Sequence, residues 1–380
     1  MNICVLLDKY TSGSFPNIAR QEVTHLRELG HRAVLAALRK APGQLADKDW
    51  LILNNRVPRP LRVSFRFPLF SFFSFGHVTD ALLIPPSVQR KLWDIVIAHG
   101  AYTCFTAWSL SSFRKIPYVA YIHDPVSYLC ESFYAWEKQR IRHLLPLLRP
   151  LAAKIDRQIV QSSLLTVAPS ERPARILSAV ADRKVHVVYP GCDPGSSIPE
   201  SRGDYLLAVT AWKEGKRPEL LLEILRQLPE AKLVVAGTWE TSLLRLRFET
   251  LVERMDLKNR VRILGYVTED RLKELHRHAR ALVGVSYDQG FGMYALEAAA
   301  QGCTFVVPDG IGVSEIFNDG KHGFFVETAN VAVYVDRLLR LISDERLAWQ
   351  MGAEAWKVAQ GYSWSNHAQA LMDLLVPHLC

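Results

Sequence analysis

The feature that most constrains this chain is a repeated alternation of short apolar runs with longer amphipathic stretches. Short apolar runs bounded by turn formers are typical of strands buried on both faces of a parallel sheet, and the longer stretches carry apolar residues at helical spacing. In the first half the pattern predicts a helix at residues 18–29 and strands at 3–7, 32–37, 94–98, 118–122 and 164–168. This order predicts an α/β domain of the doubly wound type.

The alternation restarts after residue 200. It predicts helices at residues 219–227, 270–279 and 293–301, and strands at 205–209, 232–236, 261–264, 281–285, 304–307 and 323–326. Residues 191–203 are rich in Pro, Gly and Ser, which indicates a linker. We therefore predict a Rossmann-like domain at 1–190, the linker at 191–203, a second Rossmann-like domain at 204–362, and a C-terminal helix at 363–380 that could cross back to the first domain.

Composition and charge limit the classes of protein. Hydrophobic residues make up 49% and charged residues 22%, which excludes a disordered chain or a coiled coil as the main organisation. Residues 1–190 carry 25 basic and 13 acidic side chains, whereas residues 191–380 carry 21 and 25. This asymmetry indicates two domains with different partners, the basic one facing an anionic surface.

The cysteines and the apolar runs exclude further classes. None of the six cysteines forms a C-x-x-C pair, so a zinc or dithiol redox site is not expected, and scattered single cysteines suit reduced core positions. We see no run of about 20 residues free of charges and turn formers, and the apolar run at the start is too short for a signal peptide. We therefore expect a cytosolic protein, soluble or bound to a surface.

Ligands of open parallel sheets bind beyond the carboxyl ends of the strands, so residues that follow strands are candidates for a site. Gly290, Phe291 and Gly292 follow the predicted strand at 281–285 and open the helix that carries Glu297. Glycines let backbone amides approach a ligand, and a helix N-terminus favours anions. A carboxylate among alanines is costly unless it binds something. The alternative is a pair of loop glycines beside one buried, hydrogen-bonded Glu.

This segment resembles the C-terminal signature of the family 4 retaining glycosyltransferases, which have the GT-B fold of two Rossmann-like domains facing an interdomain cleft. The family pattern is Glu-Gly-Phe-Gly with a second Glu eight positions after the first, and here it reads Gln289 to Gly292 followed by Glu297. The resemblance implies that Glu297 binds the ribose of a nucleotide donor and that the backbone after residue 289 contacts the donor sugar. Gln289 replaces the charged Glu of the family and can still hydrogen-bond a sugar hydroxyl.

A second match lies at residues 206–218. The family has a strand, then Gly-Arg, then a Lys five residues after the Arg, and both cations neutralise the donor diphosphate. Lys216 falls on the Lys, whereas Ala211 occupies the Arg position. Lys213 or Arg217 could supply the second charge, although neither is in register. The alternative for Lys216 is a solvated lysine at the start of a helix.

The first half matches the family more loosely. Gly13 lies in the position of a glycine-rich loop that packs against the donor phosphates. His99 and His123 each follow a predicted strand, and a His at the second position reaches the donor sugar in the family. We expect His123 to lie near the reacting sugar. The alternative for both is a histidine hydrogen-bonded to backbone.

Residues 56–75 combine arginines with six phenylalanines, among them Arg59, Arg62, Arg66, Phe70 and Phe73. This combination suits a membrane interface, a single-stranded nucleic acid, or a strand with a buried aromatic cluster. Together with the basic first half, it leads us to predict docking on anionic lipid, with no nucleic-acid partner.

The resemblance, taken together with the basic first half, therefore implies a retaining glycosyltransferase that moves a sugar from a UDP- or GDP-linked donor to a glycan or lipid-linked acceptor at the cytosolic membrane face. His123, Gln289 and Lys216 are the expected catalytic residues. We expect no cofactor and no metal, because the one Asp-x-Asp, at residues 47–49, does not directly follow a predicted strand. A nucleotide-sugar epimerase of the same fold and a non-catalytic nucleotide-sugar-binding subunit remain alternatives.

Overall fold

The computed structural model describes residues 1–10, 14–40, 50–52, 93–128, 145–286, 290–327 and 330–378. The chain forms two compact units. The first comprises Met1–Gly191 together with Trp364–Cys380, and the second comprises Cys192–Ser363. Of the linker that we expected at 191–203, residues 192–203 are counted with the second unit, and the C-terminal segment is counted with the first.

The first unit contains a parallel sheet of seven strands in the order β3-β2-β1-β4-β5-β6-β7. The strands are β1 (Asn2–Tyr10), β2 (Arg32–Lys40), β3 (Trp50–Ile52), β4 (Ile95–His99), β5 (Tyr118–Tyr121), β6 (Leu165–Ala168) and β7 (His186–Val187). The chain moves outward from β1 to β3 and then returns to pair β4 with β1. The crevice between β1 and β4 is therefore the point at which the strand order reverses.

The second unit contains a parallel sheet of six strands in the order β10-β9-β8-β11-β12-β13. The strands are β8 (Tyr205–Val209), β9 (Lys232–Ala236), β10 (Val261–Gly265), β11 (Ala281–Val283), β12 (Phe305–Pro308) and β13 (Phe324–Val326). The order reverses between β8 and β11, so this sheet has the same kind of crevice as the first.

Eleven α-helices lie within the described residues. They are α1 (Ser14–Glu28), α2 (Ala101–Arg114), α3 (Leu145–Ser162), α4 (Glu171–Ala181), α5 (Pro218–Arg226), α6 (Ser242–Arg254), α7 (Glu269–His278), α8 (Met293–Ala300), α9 (Val331–Ser343), α10 (Glu345–Ala359) and α11 (Trp364–Leu375). Helix α11 packs against α1 and contributes Leu371 and Leu375, which are fully buried. The chain thus ends on the unit in which it began.

Burial explains why the apolar runs form these strands. Ile3, Cys4, Val5 and Leu6 of β1 have no exposed surface, and every residue of β4 and β5 is buried. A strand in this position has helices on both faces, so it needs apolar side chains throughout rather than alternating ones. The predicted strands are confirmed with shifts of a few residues at their ends. The pattern missed β3 and β7, which have only three and two residues.

Candidate functional site

The crevice of the second unit is flanked by the segments that follow β8 and β11. Lys216 lies in the first of these segments, and Gly290, Phe291 and Gly292 lie in the second. Because β8 and β11 are neighbours in a parallel sheet, both segments leave the sheet at the same edge. The topology thus brings together the two motifs that the sequence analysis treated separately.

The loop at 290–292 is held by backbone contacts. The carbonyl oxygens of Gly290 and Phe291 accept hydrogen bonds from the backbone N–H groups of Gly312 (3.1 Å) and Val313 (2.8 Å). Gly292 precedes α8 with φ of 89°, and a Cβ built there would lie 3.0 Å from Cδ1 of Ile311. A larger residue would therefore have a strained backbone and a tight contact that the side chain of Ile311 would have to relieve. The loop is fixed, and the N-terminus of α8 follows it directly.

Glu297 lies in the second turn of α8, and its neighbours Leu296 and Ala298 are fully buried. Burial raises the pKa of the Glu297 carboxyl to about 7, and the nearby carboxylates of Glu269 and Asp193 act in the same direction. A carboxyl group in this state gains from a ligand that donates hydrogen bonds to its ionised form. The two hydroxyls of a ribose are such donors.

The segment after β8 is anchored by Trp212. Its backbone N–H donates to the carbonyl oxygen of Thr238 (2.7 Å), and its ring stacks on that of Trp239 with centroids 5.5 Å apart. Lys216 ends the short 3₁₀ helix Glu214–Lys216 and is partly buried. Ala211, at the position where the family pattern has Arg, is exposed.

Arg217 follows Lys216 and adopts a left-handed conformation with φ of 49°. Its charge also acts on Tyr334, whose hydroxyl donates a 2.9 Å hydrogen bond to the carbonyl oxygen of Gly284, just beyond β11. Burial raises the pKa of Tyr334, the neighbours Tyr294 and Asp309 raise it further, and Arg217 opposes them. Arg217 therefore adds positive charge near the carboxyl end of β11.

In the first unit, His99 and His123 follow neighbouring strands and are hydrogen-bonded to each other. His99 ends β4 beside the crevice between β1 and β4, and His123 lies two residues beyond β5. Nδ1 of His99 is 3.1 Å from Nε2 of His123, and both side chains are buried. Burial lowers the pKa of His123 well below its ordinary value, and His99 adds to this effect. His123 is therefore neutral at physiological pH.

Glu22 contacts this pair and His367 contacts Glu22, although neither residue was expected in the site from the sequence. Oε2 of Glu22 lies 2.8 Å from Nε2 of His99, and Oε1 of Glu22 lies 2.9 Å from Nε2 of His367. The available signal was a polar residue on an apolar helix face. Glu22 lies among the buried positions Ile18, Ala19, Val23 and Leu26, and His367 lies between Trp364 and Leu371.

A side chain of helix α3 holds the loop that carries His123. The two carboxylate oxygens of Asp156 accept hydrogen bonds from the backbone N–H groups of Val126 and Ser127, each at 2.8 Å. Burial raises the pKa of Asp156 to about 6, although the hydrogen bonds from Ser127 and Val126 oppose this change. One buried carboxylate thus determines the path of the chain directly after His123.

Family comparisons agree with both halves of this architecture. Residues 17–196 match the family described as Glycosyltransferase Family 4, and residues 196–358 match the family described as Glycosyl transferases group 1. Together, the two matches run from α1 to α10. This chain belongs to the family 4 glycosyltransferases.

The relatives of this glycosyltransferase agree with that assignment. An uncharacterised glycosyltransferase of Methanocaldococcus jannaschii is 27% identical over 329 residues, which cover 78% of this chain and 80% of the relative. A D-inositol 3-phosphate glycosyltransferase of Nocardia farcinica is 29% identical over 250 residues, which cover 59% of this chain and 55% of the relative. The second match thus spans about half of that relative.

Solved structures show the same fold at low identity. Sucrose-phosphate synthase from Thermosynechococcus elongatus superposes with a TM-score of 0.80 at 16% identity, covering 99% of both chains. HepE of Anabaena, solved in complex with UDP and glucose, gives a TM-score of 0.75 at 14% identity, covering 99% of this glycosyltransferase and 100% of HepE. The prediction of a GT-B fold is confirmed.

Several residues expected in the site of this glycosyltransferase lie outside the described residues. They are Gly13, Gln289, Arg59, Arg62, Arg66, Phe70 and Phe73. Within the described part of the chain, no helix is long and apolar enough to cross a membrane. Among the same residues, no group of three or more His, Cys, Asp or Glu side chains is arranged to hold a metal ion.

Proposed function

We propose that this glycosyltransferase moves a sugar from a UDP- or GDP-linked donor to a glycan or lipid-linked acceptor, with retention of configuration at the anomeric carbon. The observation that carries the proposal is the crevice between β8 and β11, where the segments bearing Lys216 and Gly290 leave the sheet at the same edge and Glu297 follows in α8. Each part of the donor can then contact a suitable group: a carboxylate for the ribose, a lysine for the diphosphate and backbone amides for the sugar.

For the donor, Glu297 accepts hydrogen bonds from the ribose hydroxyls and Lys216 neutralises the diphosphate. The backbone at 290–292 and the side chain of Gln289 orient the sugar, and Gly13 packs against the phosphates. Positive charge held at the leaving diphosphate stabilises the charge that develops as the glycosidic bond breaks. HepE was solved with UDP and glucose, which supports a uridine nucleotide as the first donor to test.

His123 contacts the donor sugar from the first unit. Its burial and lowered pKa suit a neutral group that hydrogen-bonds a hydroxyl, rather than a permanent cation. Retention implies that the acceptor hydroxyl attacks the face from which the diphosphate leaves, so its proton passes to the departing phosphate oxygen. The reaction then requires no side-chain nucleophile and, in this proposal, no cofactor and no metal.

For the acceptor, we propose a lipid-linked or glycan molecule bound by the first unit at the cytosolic face of a membrane. The support comes from sequence: residues 1–190 carry 25 basic against 13 acidic side chains, and the arginines at 59, 62 and 66 lie among phenylalanines. Such residues associate with anionic headgroups. Flotation with anionic and neutral vesicles tests this proposal. Binding to the anionic vesicles alone is expected, and absence from both would refute it.

Two alternative functions remain besides sugar transfer. A nucleotide-sugar epimerase would consume the donor without an acceptor, and a non-catalytic subunit would bind the donor without changing it. Ala211 and Gln289, which replace charged residues of the family pattern, are the features that favour the non-catalytic subunit.

Radiolabelled UDP-glucose, UDP-N-acetylglucosamine and GDP-mannose, each incubated with and without a bacterial lipid extract, separate these activities. Label entering the lipid fraction is expected, together with release of the nucleoside diphosphate. An epimerised nucleotide-sugar that forms without lipid would refute the proposal in favour of an epimerase. Binding without turnover of any donor would refute it in favour of a non-catalytic subunit. Glu297→Ala is the control that ties turnover to this crevice.

A further inference from the structure

Four buried side chains of the first unit form one continuous hydrogen-bonded chain. Glu22 comes from α1, His99 from the end of β4, His123 from the loop after β5, and His367 from α11. The contacts run from His367 to Glu22 (2.9 Å), from Glu22 to His99 (2.8 Å) and from His99 to His123 (3.1 Å). Each residue is less than a tenth exposed. Water therefore competes little for these bonds, and the partners determine where the protons lie.

The hydrogen-bond partners of His367, at one end of this chain of side chains, show where its protons lie. Nδ1 of His367 lies 2.7 Å from the carbonyl oxygen of Tyr189, which can only accept, so Nδ1 carries a proton. Burial acts to raise the pKa of Glu22, but the hydrogen bonds from His99 and His367, and the positive charge that these two rings can carry, outweigh burial and lower the pKa to about 2. The ionised carboxylate also only accepts, so Nε2 of His367 carries a proton as well. Glu22 and His367 form a buried ion pair.

The other oxygen of Glu22 determines the rest of the chain. It accepts from Nε2 of His99, which therefore carries a proton. A second positive charge beside this single carboxylate would be buried without a counter-charge, which favours a neutral His99 with its lone pair on Nδ1. In that arrangement Nε2 of His123 donates to Nδ1 of His99, and the lone pair of neutral His123 is on Nδ1. Tyr121 stacks on His123 with ring centroids 4.7 Å apart, but its hydroxyl donates to the carbonyl oxygen of Val188, so it does not alter this order.

We propose that Glu22 is a positioning residue that acts through His99 to hold His123 with a proton on Nε2 and a lone pair on Nδ1. His367 of the C-terminal helix is part of the same device, because it balances the charge of Glu22. The consequence for the donor rests on the proposed function: His123 meets the donor sugar as a neutral group and does not act as an acid.

Nitrogen-15 NMR of the histidine rings tests the proton positions without substrate. Signals are assigned through His99→Gln, His123→Gln and His367→Gln variants. At pH 7.5 we expect His99 and His123 each to show a protonated Nε2 and an unprotonated Nδ1, and His367 to show two protonated nitrogens. A protonated Nδ1 on His123, or an unprotonated nitrogen on His367, would overturn the proposal in the wild-type protein itself.

Two Glu22 variants separate this role from simple packing. Glu22→Leu keeps the approximate volume but removes both acceptors, so the single proton order of His99 and His123 should be lost. Glu22→Gln can direct its oxygen to His99 and its NH₂ to His367 without burying a net charge. In Glu22→Gln, His99 and His123 should therefore each keep a protonated Nε2 and an unprotonated Nδ1, while His367 keeps only the proton on Nδ1. Unchanged His123 signals in Glu22→Leu would contradict the proposal.

Kinetics completes the test. Glu22→Leu should lower kcat/KM by about 10–100-fold, the range known for hydrogen-bond partners that orient metal-ligating histidines, and Glu22→Gln should retain most of the wild-type value. Glu28→Gln, at an exposed position of the same helix, is the matched control. If the NMR pattern is as expected but His123→Ala transfers sugar as well as wild type, the role of His123 in the proposed function fails and the role of Glu22 stands.

Discussion

Nε2 of His99 lies 2.8 Å from Oε2 of Glu22, and neither side chain has any exposed surface. This contact joins the end of β4 to α1, and through the other oxygen of Glu22 it continues to α11, which follows the whole second unit in sequence. The C-terminal helix therefore does more than pack against the first unit, because its His367 is a hydrogen-bond partner of a buried carboxylate. We therefore expect both the stability of the first unit and the position of His123 to depend on these four side chains.

The buried carboxylate gives a first prediction for acid stability. Because the pKa of Glu22 is lowered to about 2 from an ordinary value of 4.5, its stabilising effect is present above pH 4.5 and is lost as the pH falls toward 2. Glu22→Gln should therefore reduce the free energy of unfolding at pH 7 by an amount on the order of 3 kcal/mol and flatten its dependence on pH in this window. Denaturant unfolding between pH 3 and pH 7 measures both. An unchanged pH slope in the variant would contradict this assignment.

Glu297 leads to the opposite pH dependence. Its pKa is raised to about 7, so the folded protein binds a proton that the unfolded chain has lost, and stability falls as the pH rises from 4.5 to 7. Glu297→Gln should therefore raise the Tm of the unliganded protein at pH 8, with a gain on the order of 1–3 kcal/mol. Calorimetry at pH 5 and pH 8 measures the difference. Equal Tm values for variant and wild type at pH 8 would refute the raised pKa.

Donor binding should follow the same ionisation. If ribose hydroxyls bind the ionised carboxylate, the Kd for the nucleotide should fall as the pH rises through 7. The Kd should be roughly tenfold higher at pH 6 than at pH 8. The pH dependence should disappear in Glu297→Gln, whose binding should be weaker at pH 8. Isothermal titration with the preferred nucleoside diphosphate at three pH values checks this. A Kd that does not change with pH in wild type would separate Glu297 from the ribose.

The segment that bears Lys216 allows a matched set of charge variants. Lys216→Met should lower kcat/KM by about 10²–10³-fold, because a charge-assisted hydrogen bond to the leaving diphosphate is lost, whereas Lys213→Met should cost less than about fivefold. Ala211→Arg places the charge of the family pattern on an exposed position and should raise donor affinity about tenfold. Initial rates at fixed ionic strength compare the three. Equal losses from the two lysine variants would show that net charge alone matters.

Much of this account could be predicted from the sequence because it depends on local pattern. The doubly wound strands are continuous apolar runs, and Glu297 and Lys216 lie in short motifs that keep their spacing. The contact between Glu22 and His367 could not be predicted in the same way, since 345 positions separate them. A polar residue on an apolar helix face indicates a buried partner, but only the fold shows which one.

Asp156 holds the loop after β5, so replacing it should displace His123 rather than change its charge. Asp156→Asn can accept from only one of the N–H groups of Val126 and Ser127, because its NH₂ meets the other donor. The loop should shift, and kcat should fall about 10–100-fold while the Kd for the nucleotide stays within about twofold, since small displacements of a positioned group are costly. Pre-steady-state kinetics with separate measurement of donor binding tests this. A change confined to nucleotide affinity would contradict it.

We expect the crevice between β8 and β11 to bind a nucleotide donor through Glu297. Thermal unfolding of wild type and Glu297→Ala with UDP, GDP, ADP and their common sugar conjugates tests it most directly. A ligand at 100 times its Kd should add about 2.7 kcal/mol to the free energy of unfolding. We expect a shift in Tm with the nucleotides of one base, and this shift should be lost or strongly reduced in Glu297→Ala. No shift with any nucleotide, or an equal shift in both proteins, would contradict it.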